Sequence, residues 1–226
     1  MSWNEWVREV EIEPSLYAAD FSRLGQQIET LMEAGVRIFH FDIGDGHLVE
    51  PITIGPVVLK SISPIVHRLG GALDCHLMIE TPEKHFRAIA EAGGDSVTVH
   101  YEACDDVSTV IGQARERGLG VGVAFNPKTE PEAAAAAAGE LVDLMLCMSI
   151  YPGYSGQRFM PESIPRVRRL RGLLPEGVHI QVDGGVGPDN VRDCRDAGAN
   201  LFVAGTSVFG RDDIAAAYQQ LVQAIS

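Results

Sequence analysis

Cysteine is scarce and unpaired. Cys75, Cys104, Cys147 and Cys194 lie far apart, and no two form a Cys-x-x-Cys pair. That excludes a disulfide framework and a structural zinc knuckle, and it predicts reduced, mostly buried thiols. Basic clusters are equally sparse. The formal net charge is −13, and the densest basic run, Arg166, Arg168, Arg169 and Arg171, reads as the solvated face of a helix and not as a nucleic-acid footprint. An acidic chain gains no long-range steering of an anionic substrate, so a phosphate would have to be held by local backbone donors. The longest apolar runs, such as 133–138, fall far short of the roughly 18 residues that span a bilayer. The N-terminus has no basic segment followed by an apolar one, so no secretory signal is expected and the expected location is the cytoplasm.

What the chain does contain is alternation. Short β-branched or apolar runs predict strands over 10–16, 38–43, 73–79, 96–100, 120–125, 144–149, 179–182 and 201–204. Helical patterns are predicted over 21–34, 56–63, 82–92, 107–117, 131–138, 162–173, 188–197 and 214–225. Asp20 is a natural N-cap for the first, and Pro82 and Pro188 suit first helical turns. The echo Glu33-Ala34-Gly35, Glu91-Ala92-Gly93 and Asp196-Ala197-Gly198 closes three of these units just before a strand. Eight units of about 28 residues match a strand plus a crossover helix, and therefore a parallel sheet. Eight repeats predict an α/β fold, a single-domain (β/α)8 TIM barrel over 1–226, with 1–9 as an N-terminal extension. The competing open, doubly wound sheet carries a glycine-rich turn after its first strand, and the segment from Ser15 to Asp20 has no glycine.

In such a barrel, chemistry sits at the C-terminal ends of the strands. His40 and Asp42 are two apart on the second strand and so share one face. His76 sits similarly on the third, and Asp183 ends the seventh before Gly184 and Gly185. Two histidines and two carboxylates suit one divalent metal ion, Zn, Fe, Mn or Co. Each piece also has a plainer reading: a hydrogen-bonded core histidine, a salt-bridged His-x-Asp pair, a turn at Asp-Gly-Gly. Their coincidence at strand ends raises the joint reading to stand level with the plainer ones, because several buried carboxylates are costly without a cation. The loops after strands six, seven and eight, with Gly153, Tyr154, Ser155 and Gly156, then Gly184 and Gly185, then Gly205 and Thr206, let backbone N–H groups approach a phosphate.

Taken in order, these motifs resemble the ribulose-phosphate 3-epimerase family. The resemblance runs from Ile12-Glu13-Pro14-Ser15 through Asp45-Gly46-His47, Asp74-Cys75-His76-Leu77-Met78 and Asn126-Pro127 to Val208-Phe209-Gly210, nearly the whole chain. It implies a ribulose-phosphate-binding (β/α)8 barrel that inverts C3 of a ketose phosphate, D-ribulose 5-phosphate to D-xylulose 5-phosphate, through an enediolate. It implies a metal held by His40, Asp42, His76 and Asp183, with Asp42 and Asp183 as the two acid/base groups. Ser15 and His76 would help bind substrate. Phosphate would lie near Gly184, Gly185, Gly205 and Thr206, under a Gly153–Gly156 loop. A homo-oligomer, a small-molecule sugar phosphate as partner, and neither nucleic acid nor membrane complete the expectation.

The sequence departs from the family's pattern at Gly44, where a methionine is usual, and at Tyr151, Tyr154 and Ser155. Loss of that methionine predicts extra space near the reacting carbons and a longer ketose phosphate, such as a ketohexose 6-phosphate, as an alternative substrate; neutral drift with ordinary specificity is the other reading. A decarboxylating relative would need a lysine where Gly44 stands. A non-catalytic sugar-phosphate-binding barrel would not need both aspartates and both histidines. Trp3 and Trp6 would pack either on a neighbouring subunit or on the barrel's own N-terminal end.

Overall fold

The computed structural model describes residues 3–225; Met1, Ser2 and Ser226, which the sequence reading included in the extension and the domain, lie outside the described residues. The strands are β1 (Glu11–Pro14), β2 (Ile38–Gly44), β3 (Ala72–Met78), β4 (Ser96–His100), β5 (Gly120–Phe125), β6 (Leu144–Met148), β7 (His179–Asp183) and β8 (Leu201–Ala204). They form one parallel eight-stranded sheet in the order β1-β8-β7-β6-β5-β4-β3-β2. A parallel bridge between Ser15 and His40 brings the ends of this sheet together into the (β/α)8 barrel.

Both faces of the strands are buried, as expected where helices cover a parallel sheet. Alternation along β2 divides the core. Phe39 and Phe41 join the larger cluster under the helices, whereas Ile38 joins Ala72, Leu144, Leu146, Met148 and Leu201 inside the ring. The same period turns His40 and Asp42 inward with Ile38.

The helices are α1 (Trp3–Trp6), α2 (Leu24–Glu33), α3 (Pro56–Arg68), α4 (Phe86–Ala92), α5 (Val107–Arg115), α6 (Pro131–Ala138), α7 (Ser163–Leu173), α8 (Val191–Asp196), α9 (Thr206–Phe209) and α10 (Ile214–Ile225). Several differ from expectation for identifiable reasons. The first predicted strand ends at Pro14, where a 3-10 turn over Leu16–Ala18 takes over. The helix expected to stop before Pro64 runs on to Arg68. Leu59, Ile62 and Val66 are buried on its inner face while Pro64 stays exposed, so burial offsets the roughly 3 kcal/mol cost of an internal proline. The helices expected from 21 and 82 begin with 3-10 turns, Phe21–Arg23 and Pro82–Lys84. Residues 188–190 form a turn before α8, in which the Asn190 side chain bonds Gly187 N–H and the Gly185 carbonyl.

Arg166 also departs from the expected solvated face. Its guanidinium is buried, lies over the Phe125 ring, and donates to the carbonyls of Met148, Asn126 and Thr129. It ties α7 to the loops above β5 and β6. The four cysteines are free thiols, three of them buried.

The N-terminal tryptophans cover the barrel's own lower end. Trp3 is 2% exposed and meets Trp6 edge-on at 5.3 Å. A Cβ on Gly120 would lie 2.8 Å from Trp3 Nε1, so this glycine makes room for the indole. Arg37 donates to the carbonyls of Glu5 and Trp6 and holds the short helix in place. Among the described residues, no helix is long and apolar enough to cross a membrane.

Candidate active site

At the C-terminal end of the barrel, β2 projects His40 and Asp42, β3 projects His76, and β7 ends in Asp183. One ligand atom from each of these four residues lies within 4.8 Å of the others. Asp42 Oδ1 is 3.1 Å from His76 Nδ1 and 3.3 Å from His40 Nε2. Asp183 Oδ2 stands 3.7 Å from His76 Nδ1 and 4.0 Å from His40 Nε2. The set fits a divalent ion by its donor chemistry, two imidazoles and two carboxylates. It fits also because His40 Nε2, fully buried, has no hydrogen-bond partner.

The two carboxylates differ electrically. Burial alone raises the Asp42 pKa, but the charge of His40 3.3 Å away, reinforced by the hydrogen bond with His76, holds it well below the usual carboxylate range. Asp183 is pushed up to about 7 by burial and then by repulsion from Asp42. Burial lowers His40, but Asp42 and Asp74 outweigh it and carry that imidazole well above its usual value, while burial holds His76 down. The two carboxyls are thus pushed in opposite directions, Asp42 down and Asp183 up, a division suited to acid/base work.

Above it opens a cavity of about 550 Å³. Ser15, Asp42, Asp183, Gly184, Gly185, Gly205 and Thr206 line it, as does the loop carrying Gly153, Tyr154, Ser155 and Gly156. Every predicted substrate residue is therefore brought to one place except His76, which lies beneath it with no exposure. Ser15 Oγ donates to Asp42 Oδ2 at 2.6 Å. Gly184 and Gly185 adopt positive φ, 119° and 65°, and a Cβ on Gly185 would fall 2.5 Å from the Phe159 nitrogen. Only glycine lets the two loops approach so closely. After β8, the one-turn α9 follows Gly205, and buried Ser207 Oγ at the cavity wall has no partner.

Gly44 does not open the cavity. A Cβ there would meet the Pro51 carbonyl oxygen and Val49 Cγ2, both at 2.9 Å. The 49–53 segment fills the vacated room, anchored by the Thr53 hydroxyl, which accepts from Gly44 N–H at 2.6 Å and donates to the Asp42 carbonyl at 2.9 Å. Met78 and Met148 do line the cavity.

A second polar layer lies deeper, and sequence reasoning missed it. Asp74 takes hydrogen bonds from Ser96, Thr98 and Gln181, and Gln181 also donates to Glu13 at 2.6 Å. Burial, then the nearby Asp74 charge, raises Glu13 well above the ordinary range. Beside His76, the buried His100 approaches it at 2.9 Å, Nε2 to Nε2. The available signal was spacing: Glu13, Asp74, Thr98 and Gln181 each precede an upper inward polar residue by two positions. Exposed Arg158 and Arg211, at the cavity's edge, carried no such signal.

Comparison with known proteins agrees with this geometry. The ribulose-phosphate 3 epimerase family matches residues 11–209. The ribulose-phosphate 3-epimerase of Synechocystis sp. is 40% identical over 215 residues, covering 93% of this chain and 92% of that protein. The ribulose-phosphate 3-epimerase of Bacillus subtilis is 36% identical over 208 residues, covering 90% and 94%. Among solved structures, a 3-hexulose-6-phosphate synthase superposes with a TM-score of 0.70 at 20% identity, over 96% of this chain and 100% of that one, a likeness of fold alone. With matches of this extent along nearly its whole length, the chain belongs to the ribulose-phosphate 3-epimerase family and is an isomerase that epimerises a sugar phosphate.

Proposed function

We propose that the chain, as one barrel domain over 1–226 with 1–9 as its extension, interconverts D-ribulose 5-phosphate and D-xylulose 5-phosphate with one divalent metal ion. The single observation that carries this reading is the pair Asp42 and Asp183. Their strands are separated around the ring by β1 and β8, yet their carboxylates converge below one cavity. Inversion of a carbon needs a base on one face and an acid on the other. One of the two carboxylates takes the C3 proton and the other delivers one to the opposite face; the reverse reaction exchanges the roles. Ser15, bonded to Asp42, and His76 orient the sugar. A bound divalent ion would neutralise the charge that develops on the substrate oxygens as the proton leaves. His40, Asp42, His76 and Asp183 would hold it.

The glycines of the loops after β7 and β8 suit the phosphate, where close backbone approach replaces long-range attraction in a chain of net charge −13. Closed over a bound sugar phosphate, the Gly153–Gly156 loop would exclude water from the cavity. Tyr154 lies close enough to Glu50 for that carboxylate to raise its pKa, which places the loop beside the segment after β2. Because Gly44 is filled from behind, the case for a ketohexose 6-phosphate loses its structural support. The same reading carries a cytoplasmic homo-oligomer acting on a small molecule, with no nucleic acid or membrane partner, in keeping with the acidic surface.

The test is solvent deuterium. Incubation of ribulose 5-phosphate in D2O should place deuterium at C3, and Asp42→Asn and Asp183→Asn should each lower turnover by at least about 10²–10⁴-fold while the fold survives. Absence of exchange would leave a sugar-phosphate-binding barrel. A higher kcat/KM on a six-carbon ketose phosphate would restore the alternative substrate.

A further inference from the structure

We propose that His100 and Glu102 are positioning residues for the metal centre: together they fix the tautomer and ring orientation of His76, so that its Nδ1 offers a lone pair to the ion. This rests on reading the four-residue cluster as a metal site. The turned-in nitrogen of His76 is Nδ1, 3.1 Å from Asp42 Oδ1. Its Nε2 lies 2.9 Å from His100 Nε2, and the two rings stack at 5.0 Å with 21° between planes. Two ring nitrogens at that distance bond only if one of them carries the hydrogen.

A neutral His76 with its lone pair at Nδ1 must carry its hydrogen on Nε2. His100 Nε2 is then the acceptor, and the His100 hydrogen belongs on Nδ1. That nitrogen is buried, makes no hydrogen bond, and faces Glu102 Oε2 at 3.5 Å. Glu102 is in turn fixed, because one of its carboxylate oxygens accepts from the Asn126 N–H and the Thr129 hydroxyl. Burial raises this carboxyl, but His100 and those two donors outweigh it and hold the pKa at about 2. Each link therefore has one direction: carboxylate, His100 Nδ1–H, His100 Nε2 lone pair, His76 Nε2–H, His76 Nδ1 lone pair. Sequence makes this compact, since His100 closes β4 and Glu102 lies in the 3-10 turn Tyr101–Ala103 immediately after it.

Outer partners of ligating histidines typically contribute about 10–100-fold in metal affinity. The metal-stripped protein is titrated with Zn(II) against a chromophoric chelator, and the visible spectrum of its Co(II) form is recorded. His100→Phe keeps the stacked ring and removes the acceptor. We expect about a 10–100-fold loss of Zn(II) affinity and displaced Co(II) bands. His100→Gln, whose amide oxygen accepts the same hydrogen bond, should recover most of the affinity. Glu102→Gln, at a partly exposed position, should give a smaller loss in the same direction. Wild-type affinity and spectrum in His100→Phe, or equal losses in the Phe and Gln variants, overturn the proposal. Should the His100 variants fail to fold, an unchanged affinity and spectrum in Glu102→Gln overturns it. A wild-type protein that takes up no ion at all refutes the metal reading itself, which is a different result.

Discussion

His40 and Asp74 are register partners on β2 and β3, and His40 Nδ1 lies 3.2 Å from Asp74 Oδ2. That contact occupies one ring nitrogen and leaves the other, Nε2, directed at Asp42 and Asp183. Asp74 can do this while fully buried because Ser96, Thr98 and Gln181 donate to it; against the penalty of burial, His40 first, then Gln181 and Ser96, keep its pKa down. Asp74→Asn removes the charge and lets the amide nitrogen face the imidazole. We expect about a 10–100-fold weaker hold on Zn(II) and a fall in kcat that added Zn(II) only partly restores. Chelator competition and steady-state kinetics at saturating metal check this; wild-type values on both would mean that Asp74 does not orient His40.

Gly44 tests how tightly the segment after β2 is packed. Gly44→Ala puts a Cβ 2.9 Å from backbone oxygen at Pro51, which cannot swing aside as a flexible side chain could. Overpacking of this kind costs about 1–3 kcal/mol. The displaced segment carries Thr53, whose hydroxyl bonds the Asp42 carbonyl, so kcat/KM should fall together with Tm. A variant with unchanged Tm would show that the 49–53 segment yields, and the larger substrate would again be admissible.

The parallel barrel was legible because its strands are buried on both faces and separated by helical periods, and the upper site because polar residues at strand ends have no place in an apolar core. His40, Asp42, His76 and Asp183 all stood out on that ground. The layer beneath was not read, although Asp74 precedes His76 by two residues as His40 precedes Asp42. A polar residue in mid-strand looks like local noise until the ring brings Asp74 of β3 and Gln181 of β7 into contact. Pro64 misled for the opposite reason. Its local cost is real, but the buried face of α3 continues past it. At Gly44 the missing side chain was visible while the chain segment that replaces it, seven residues on, was not.

Asp183 predicts how the metal-free protein responds to pH. Its folded pKa, raised to about 7 by burial and Asp42, exceeds the ordinary value of 3.8. A carboxyl raised in this way favours folding fully below pH 3.8, and that contribution is lost as pH rises through about 7. Metal-stripped Asp183→Asn should therefore melt higher than metal-stripped wild type at pH 8. Each kcal/mol corresponds to about 2–4 °C at this chain length. The gap should close toward pH 4. Thermal melts at both pH values, with a chelator present, decide the matter; a constant gap would mean that Asp183 is not the group responsible.

Trp3 separates stability from chemistry. It lies in the inner cluster with Ile38, Ala72, Leu144 and Leu201, at the barrel end away from the cavity, and its ring fills space left by Gly120. Its partners Trp6 and His179, at ring distances of 5.3 and 6.3 Å, are not site residues. Trp3→Ala should destabilise the fold by about 3–5 kcal/mol, the usual cost of deleting a large buried aromatic. Below the melting transition kcat and KM should stay close to wild type, because the polar layer of Glu13, Asp74 and Gln181 stands between this plug and the upper carboxylates. Denaturant titration measures the first effect and steady-state kinetics the second. A loss of kcat in fully folded protein would mean that strain at the lower end reaches the site, and the two layers would have to be treated as one mechanical unit.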